Sequence, residues 1–296
     1  VLNAADDLGT ATAQSGSVTV DNTAPALSTL QMFDTDADGK VDQVKATFGE
    51  TLETYSAGTT PWTLANAPGG AGNTLGSVSV ATTIATLTLN EGSVNTASGS
   101  FTVALATNAS GIRDFAGNQS SFSATSVADK AAPVPTNVVL ANGGTAGRAT
   151  KSDTVTVTYS ETMDATSFCS AWSNGANQTL SANGLVVVTI NNVGLSDTLT
   201  VATTSGCSFN LGTIGLGADY VNAPTTFSGN GGNASILAWN PTAKTLTITL
   251  GTGNGSQTSV GVSTPTYAPS TMLDDLASPG NTMTTALFSA PATSRF

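Results

Sequence analysis

Four aspartates crowd the nine positions of Asp34-Thr35-Asp36-Ala37-Asp38-Gly39-Lys40-Val41-Asp42. Carboxylates at alternate positions followed by glycine match the first half of a calcium loop of the EF-hand kind. A hard cation takes about six to eight oxygen ligands. Asp34, Asp36 and Asp38 can converge on one point if the loop curls, and Gly39 permits the sharp turn. Lys40 offers its carbonyl, and Asp42 a further ligand, directly or through water. The pattern departs from an EF-hand where the bidentate glutamate belongs, because Lys45 stands there, and no helical period flanks the loop. A remote carboxylate has to complete the shell, with Asp21, Glu50 and Glu53 as candidates. Four like charges at this spacing repel one another without a cation. The expectation is a structural Ca2+ site on Asp34, Asp36, Asp38, Lys40 and Asp42; the plainer alternative is a solvated acidic turn.

Other chemistry finds little footing. The chain has no histidine, which excludes Ser-His-Asp and Cys-His arrangements. It has no nucleophile elbow and no phosphate-binding glycine loop. The paired carboxylates Asp274 and Asp275 read as a solvated turn. An enzyme is therefore not expected. The two cysteines, Cys169 and Cys207, allow one pairing. A disulfide between them stabilises by roughly 4 kcal/mol in the chain-entropy model and fits an oxidising compartment. The alternative, a reactive or metal-binding thiol, lacks a histidine or a second nearby cysteine to support it. Trp62, Trp172 and Trp239 are scattered and read as packing residues.

The elements that must position these groups are strands. Charged residues make up 9% of the chain, against 39% apolar, and Thr, Ser, Asn and Gly fill the polar positions. Threonine favours strands, while glycine, asparagine and serine favour turns. The usual exposed-helix formers are scarce. The fold class expected is all-β. A net charge of −11 with eight basic residues argues against a nucleic-acid partner, since phosphate neutralisation needs clustered Lys and Arg. No apolar run is long enough for a transmembrane helix, and residues 1–9 show no signal-peptide pattern.

The chain repeats itself. Asp7-Leu8-Gly9, Asp114-Phe115-Ala116-Gly117-Asn118 and Asp275-Leu276-Ala277-Ser278-Pro279-Gly280-Asn281 share one closing signature. Two exits follow, Val20-Asp21-Asn22-Thr23-Ala24-Pro25 and Ala128-Asp129-Lys130-Ala131-Ala132-Pro133. A third signature recurs as KVDQVKATFGETLE from Lys40 and KSDTVTVTYSETMD from Lys151. These landmarks divide the chain into 1–22, the closing hairpin of an incomplete module or an exchanged strand; 23–130, one module; and 131–296, an enlarged module holding both cysteines. Period-two alternation predicts strands at Val41–Phe48, Ser77–Val80, Ile84–Leu89, Phe101–Ala106, Val138–Leu140, Thr154–Tyr159, Leu185–Ile190, Thr198–Ala202, Leu246–Leu250 and Thr284–Phe288. Many short strands between glycine-rich turns mean β-sandwiches.

Through the Val20–Pro25 junction, the Val155–Asp164 strand and the Asp114–Asn118 closure, the chain resembles bacterial Ig-like repeats of S-layer proteins and large surface adhesins. The resemblance implies tandem Ig-like β-sandwich modules and an extracellular location on the bacterial cell surface. The role it implies is structural, in a layer, filament or stalk, with calcium stiffening and head-to-tail assembly. Expected partners are copies of itself or neighbouring modules. The alternative is an adhesin module recognising a glycan or surface protein through 131–296.

Overall fold

The computed structural model describes residues 20–229, 231–254 and 257–296, together with the paired backbone pieces Ala4–Ala5 and Ala11–Thr12. The proposed closing hairpin at 1–22 and its Asp7-Leu8-Gly9 signature lie largely outside these residues. The protein is all-β, and its strands gather around two hydrophobic cores.

The first core lies between a five-stranded and a three-stranded sheet. The five-stranded sheet runs in the order Ala128–Asp129, Leu27–Phe33, Gln43–Phe48, Ile84–Asn90, Thr74–Ala81. The three-stranded sheet is Trp62–Ala65, Thr102–Leu105, Phe122–Ser126. Alternation does the work: along Gln43–Phe48 every second residue, Val44, Ala46 and Phe48, is buried, as a pleat with one dry face requires. Leu87, Trp62, Val103 and Leu105 join them from the facing strands.

The second core is larger. One of its sheets orders Pro135–Ala141, Thr154–Tyr159, Thr245–Thr249, Ile236–Asn240, Gln178–Ser181. The other has seven strands, centred on Val186–Asn191, Thr198–Thr203, Gly212–Gly215 and Thr266–Pro269. Most of this seven-stranded sheet comes from the extra length between Phe168 and Gly232. The disulfide Cys169–Cys207, with Cα atoms 5.5 Å apart, ties the end of a short helix, Ala165–Phe168, to the loop after Thr198–Thr203. Asp164 caps that helix, its carboxylate accepting from Thr166 N. Trp62, Trp172 and Trp239 are all buried.

Two expectations need correcting. Thr284–Phe288 is not a strand; only Phe288–Ser289 pairs, and Thr284 N donates to Pro133 O, outside any ladder. Asp275 is not solvated: it is 2% exposed, held where the two bodies meet.

Candidate metal centres

Three clusters of acidic residues among the described residues bring three carboxylates to within 4.8 Å of one another, and each group is capable of coordinating a metal ion. They are Asp34, Asp36 and Asp38; Asp21, Glu50 and Asp114; and Asp129, Glu161 and Asp275.

The first is the loop read from the sequence. Asp34 takes N–H bonds from Ala37 and Gly39, and Gly39 sits at φ +91°, which the turn requires. Burial is the main force pushing the Asp34 carboxyl up to about 6. Asp42 is not one of the converging carboxylates; it accepts from Thr35 N and Oγ1. The Lys40 ammonium stands 2.6 Å from Asp38 and 2.9 Å from Glu91. The loop thus already carries one positive charge of its own.

The other two clusters are copies of one arrangement. Each takes an aspartate from an exit, Asp21 or Asp129. Each takes the glutamate of the Gly/Ser-Glu-Thr turn, Glu50 or Glu161, and the first residue of the closing signature, Asp114 or Asp275. The backbone repeats as well. Glu53 N donates to Arg113 O as Asp164 N does to Asp274 O. Asp114 N donates to Asn118 O as Asp275 N does to Asn281 O. The asparagine of each closure is a clasp: Asn118 Nδ2 donates to Asp114 and to the Asp21 carbonyl. Asn281 Nδ2 donates to Asp275, Asp129 and the Ala131 carbonyl.

The Asp129, Glu161, Asp275 centre is the more enclosed. Glu161 is 3% exposed. Its Oε1 accepts from the Thr96 hydroxyl, which lies in the first body. Ser98 N and Ala131 N donate to Asp129, and Ala277 N and Asn281 N to Asp275. A cavity of about 200 Å³ opens beside the carboxylates, lined by Ser98, Gly99, Asp129, Glu161, Thr162 and Leu276 among others. Burial, reinforced by the neighbouring carboxylates, pushes Glu161 up to about 8. Burial likewise pushes Asp129 up to about 6. Lys244 is near, but its ammonium is spent on the Ser160 carbonyl and Asn95 Oδ1, and burial lowers its pKa. No Lys or Arg forms an ion pair with any of the three acids among the described residues.

The outer copy is more open, with Asp21 exposed and Glu50 half-buried. Desolvation raises Glu50, helped by Asp114 and Asp21. At Asp114 burial is outweighed by hydrogen bonds from Asn118, Ala116 and Gly117, and the carboxyl sits below its usual range.

Of the remote carboxylates expected to complete the Asp34 loop, Asp21 and Glu50 instead join Asp114, and Glu53 pairs with Arg113 at 2.7 Å. Sequence reasoning singles out neither Asp129 nor Glu161 as a ligand; the closing signatures of Asp114 and Asp275 could supply ligands but read more simply as turns bonded to their own backbone. The signal for all four is the repeat itself, since they fall inside the recurring motifs. No protein-family model, curated protein or solved structure matches the chain.

Proposed function

We propose that this chain is a structural segment of a bacterial surface layer, filament or stalk, built from tandem Ig-like β-sandwich modules joined end to end. Calcium at the junctions stiffens the joints. The observation that supports this most is the Asp129, Glu161, Asp275 trio. Asp129 belongs to the first body, and Glu161 and Asp275 to the second. Three carboxylates this close cannot all ionise without a counter-charge. A divalent cation supplies it and links both bodies at once. Hard cations prefer carboxylate, carbonyl and water oxygens, all of which this site can present, and the low stringency of calcium geometry suits ligands from three separate segments.

The composition supports the same reading. Surfaces of Thr, Ser and Asn with few lysines suit a passive, extracellular building block, and the resemblance to surface-layer repeats points the same way. Isothermal titration of the 296-residue chain with calcium tests the proposal. We expect binding that is weakened at least tenfold in Glu161→Gln/Asp275→Asn, together with a calcium-dependent rise in melting temperature lost in the same variant. Equal heats in variant and parent, or no heat in either, would remove the junction from the account.

A further inference from the structure

The geometry points to the far end of the second body as a docking surface for the acidic end of a second copy of this chain. This inference rests on the end-to-end reading above and names the partner.

The far end, opposite the Asp129 junction, is one connected surface. Gly147 N donates to Phe296 O, and Val260 N to Gly147 O. Ser263 and Ser294 exchange backbone bonds, Ser263 Oγ donates to Leu216 O, and Asp197 N to Ala218 O. These bonds bring together the loop after Pro135–Ala141, the hairpin loop around Gly194 and the last residues of the chain.

The charge of this surface is opposite to that of the molecule. The chain carries eight Lys and Arg against nineteen Asp and Glu. Three of the eight, Arg148, Lys151 and Arg295, are exposed here, and none forms an ion pair among the described residues. Two of the local acids are withdrawn from the surface. Asp153 is fully buried and accepts from Gly143, Gly144 and Thr150 N–H groups. Asp197 is fully buried and accepts from Val193, Tyr220 and Val221. Among the described residues of this end Asp219 alone remains, half-buried. The same end exposes apolar side chains: Leu195 is 89% exposed, Val262 62% and Val193 52%.

The other end of the molecule presents the complement. Asp21, Glu50 and Asp114 cluster there, beside Phe115 at 74% exposure. The internal junction shows how such an end is met. There Leu276, the counterpart of Phe115 in the closing signature, lines a cavity with Ser98 and Gly99 of the preceding body. The far end differs from that preceding body in one respect. Its last strand-like residues run parallel to Pro135–Ala141 through an Ala141–Arg295 bridge, as Ala128–Asp129 runs parallel to Leu27–Phe33. By that register Ser294 occupies the place of Asp129, and its hydroxyl accepts from Leu140 N. The far end therefore brings no exit carboxylate. It brings arginine to an acidic patch and aliphatic side chains to Phe115, a match in both charge and apolar character. Two different patches make a heterologous contact, which extends into a line and need not close.

Sedimentation velocity on the 296-residue chain in calcium, at low salt and at high salt, tests this. We expect concentration-dependent association that weakens at least tenfold at high salt. Arg148→Glu/Arg295→Glu and Phe115→Arg should each be monomeric alone. Mixed, they should form a one-to-one dimer and nothing longer, because each retains the end the other lacks. Melting curves and far-UV spectra check that both variants fold. A parent that stays monomeric, variants that still associate alone, or a parent that binds dextran sulfate without self-associating would each overturn the docking surface. A calcium-dependent rise in melting temperature retained by Arg148→Glu/Arg295→Glu leaves the junction reading standing in those cases, whereas its loss from the parent would overturn that reading alone.

Discussion

Glu161 concentrates the chemistry of the junction in one side chain. Its folded-state pKa, about 8, lies above the ordinary 4.5, chiefly through burial. A carboxyl raised in this way holds its proton in the folded state at pH values where the unfolded chain has lost it. The folded state then binds more protons than the unfolded, so stability falls as pH rises between about 4.5 and 8. Asp129, pushed up to about 6 by burial, adds the same sign over the lower part of that window. We expect the chelated protein to lose melting temperature steadily from pH 5 to pH 8, with a loss of a few kcal/mol at most. Calcium should flatten the slope by stabilising the ionised trio, and its apparent affinity should rise with pH as proton competition fades. In chelator Glu161→Gln should lose the slope between about pH 6 and pH 8 and keep only the part below about pH 6 that Asp129 and Asp34 contribute; a variant as pH-sensitive as the parent above pH 6 would show that the proton resides elsewhere. The difficulty of finding this site in the sequence follows from its construction. Asp34 to Asp42 announces itself because its acids crowd one short stretch, three of them at alternate positions. Asp129, Glu161 and Asp275 come from three segments with no local spacing, and only the duplication of their motifs gave a trace of them.

At the scale of the element, two local devices can be tested. Gly39 ends the acidic loop at φ +91°, and a β-carbon there would lie 3.1 Å from Val134 Cγ2 and 3.3 Å from Val94 Cγ1. Gly39→Ala thus forces a left-handed conformation on a residue with a side chain and wedges the contact between the two bodies. We expect a loss of about 1–3 kcal/mol in chemical denaturation; an unchanged midpoint would mean that the loop relaxes without disturbing Val134. The disulfide acts only within the second body. Cys169 and Cys207 are 38 residues apart in sequence, and closing that loop stabilises by roughly 4 kcal/mol. Phe168, Trp172 and Phe209 pack around it, with Trp172 and Phe209 centroids 5.4 Å apart. Reduction, or Cys169→Ala/Cys207→Ala, should lower the unfolding midpoint of the second body by about that amount and leave the first body's transition in place. Matching shifts in both transitions would mean that the two bodies unfold as one. Strands such as Thr154–Tyr159, with strict alternation, were readable in advance. Gly212–Gly215 and Thr225–Phe227 were not, because short, glycine-bearing strands owe their place to neighbours in the seven-stranded sheet more than to a period of their own.

For the whole molecule, the proposed role makes ions as well as packing set the stiffness of the joint between the two bodies. The apolar part of the joint includes Val134 and Val94, both beside Gly39, and the polar part includes Thr96 with Ser160 and Glu161. Removing calcium at pH 8 leaves Asp129 of one body facing Glu161 and Asp275 of the other with reduced protonation, and like charges then press the bodies apart. Small-angle scattering should register this directly. In millimolar calcium we expect a single, sharply bounded distance distribution. In chelator at pH 8 the distribution should broaden and its maximum should shift, while at pH 5, where Glu161 is protonated, chelation should have much less effect. Sodium at matched ionic strength should not restore the calcium profile, because a monovalent ion cannot neutralise three carboxylates from one position. Glu161→Gln/Asp275→Asn should give one profile under all these conditions. Identical profiles for the parent with and without calcium at pH 8 would mean that the apolar contact and the asparagine clasp hold the joint unaided, and that the acidic trio has some role other than stiffening.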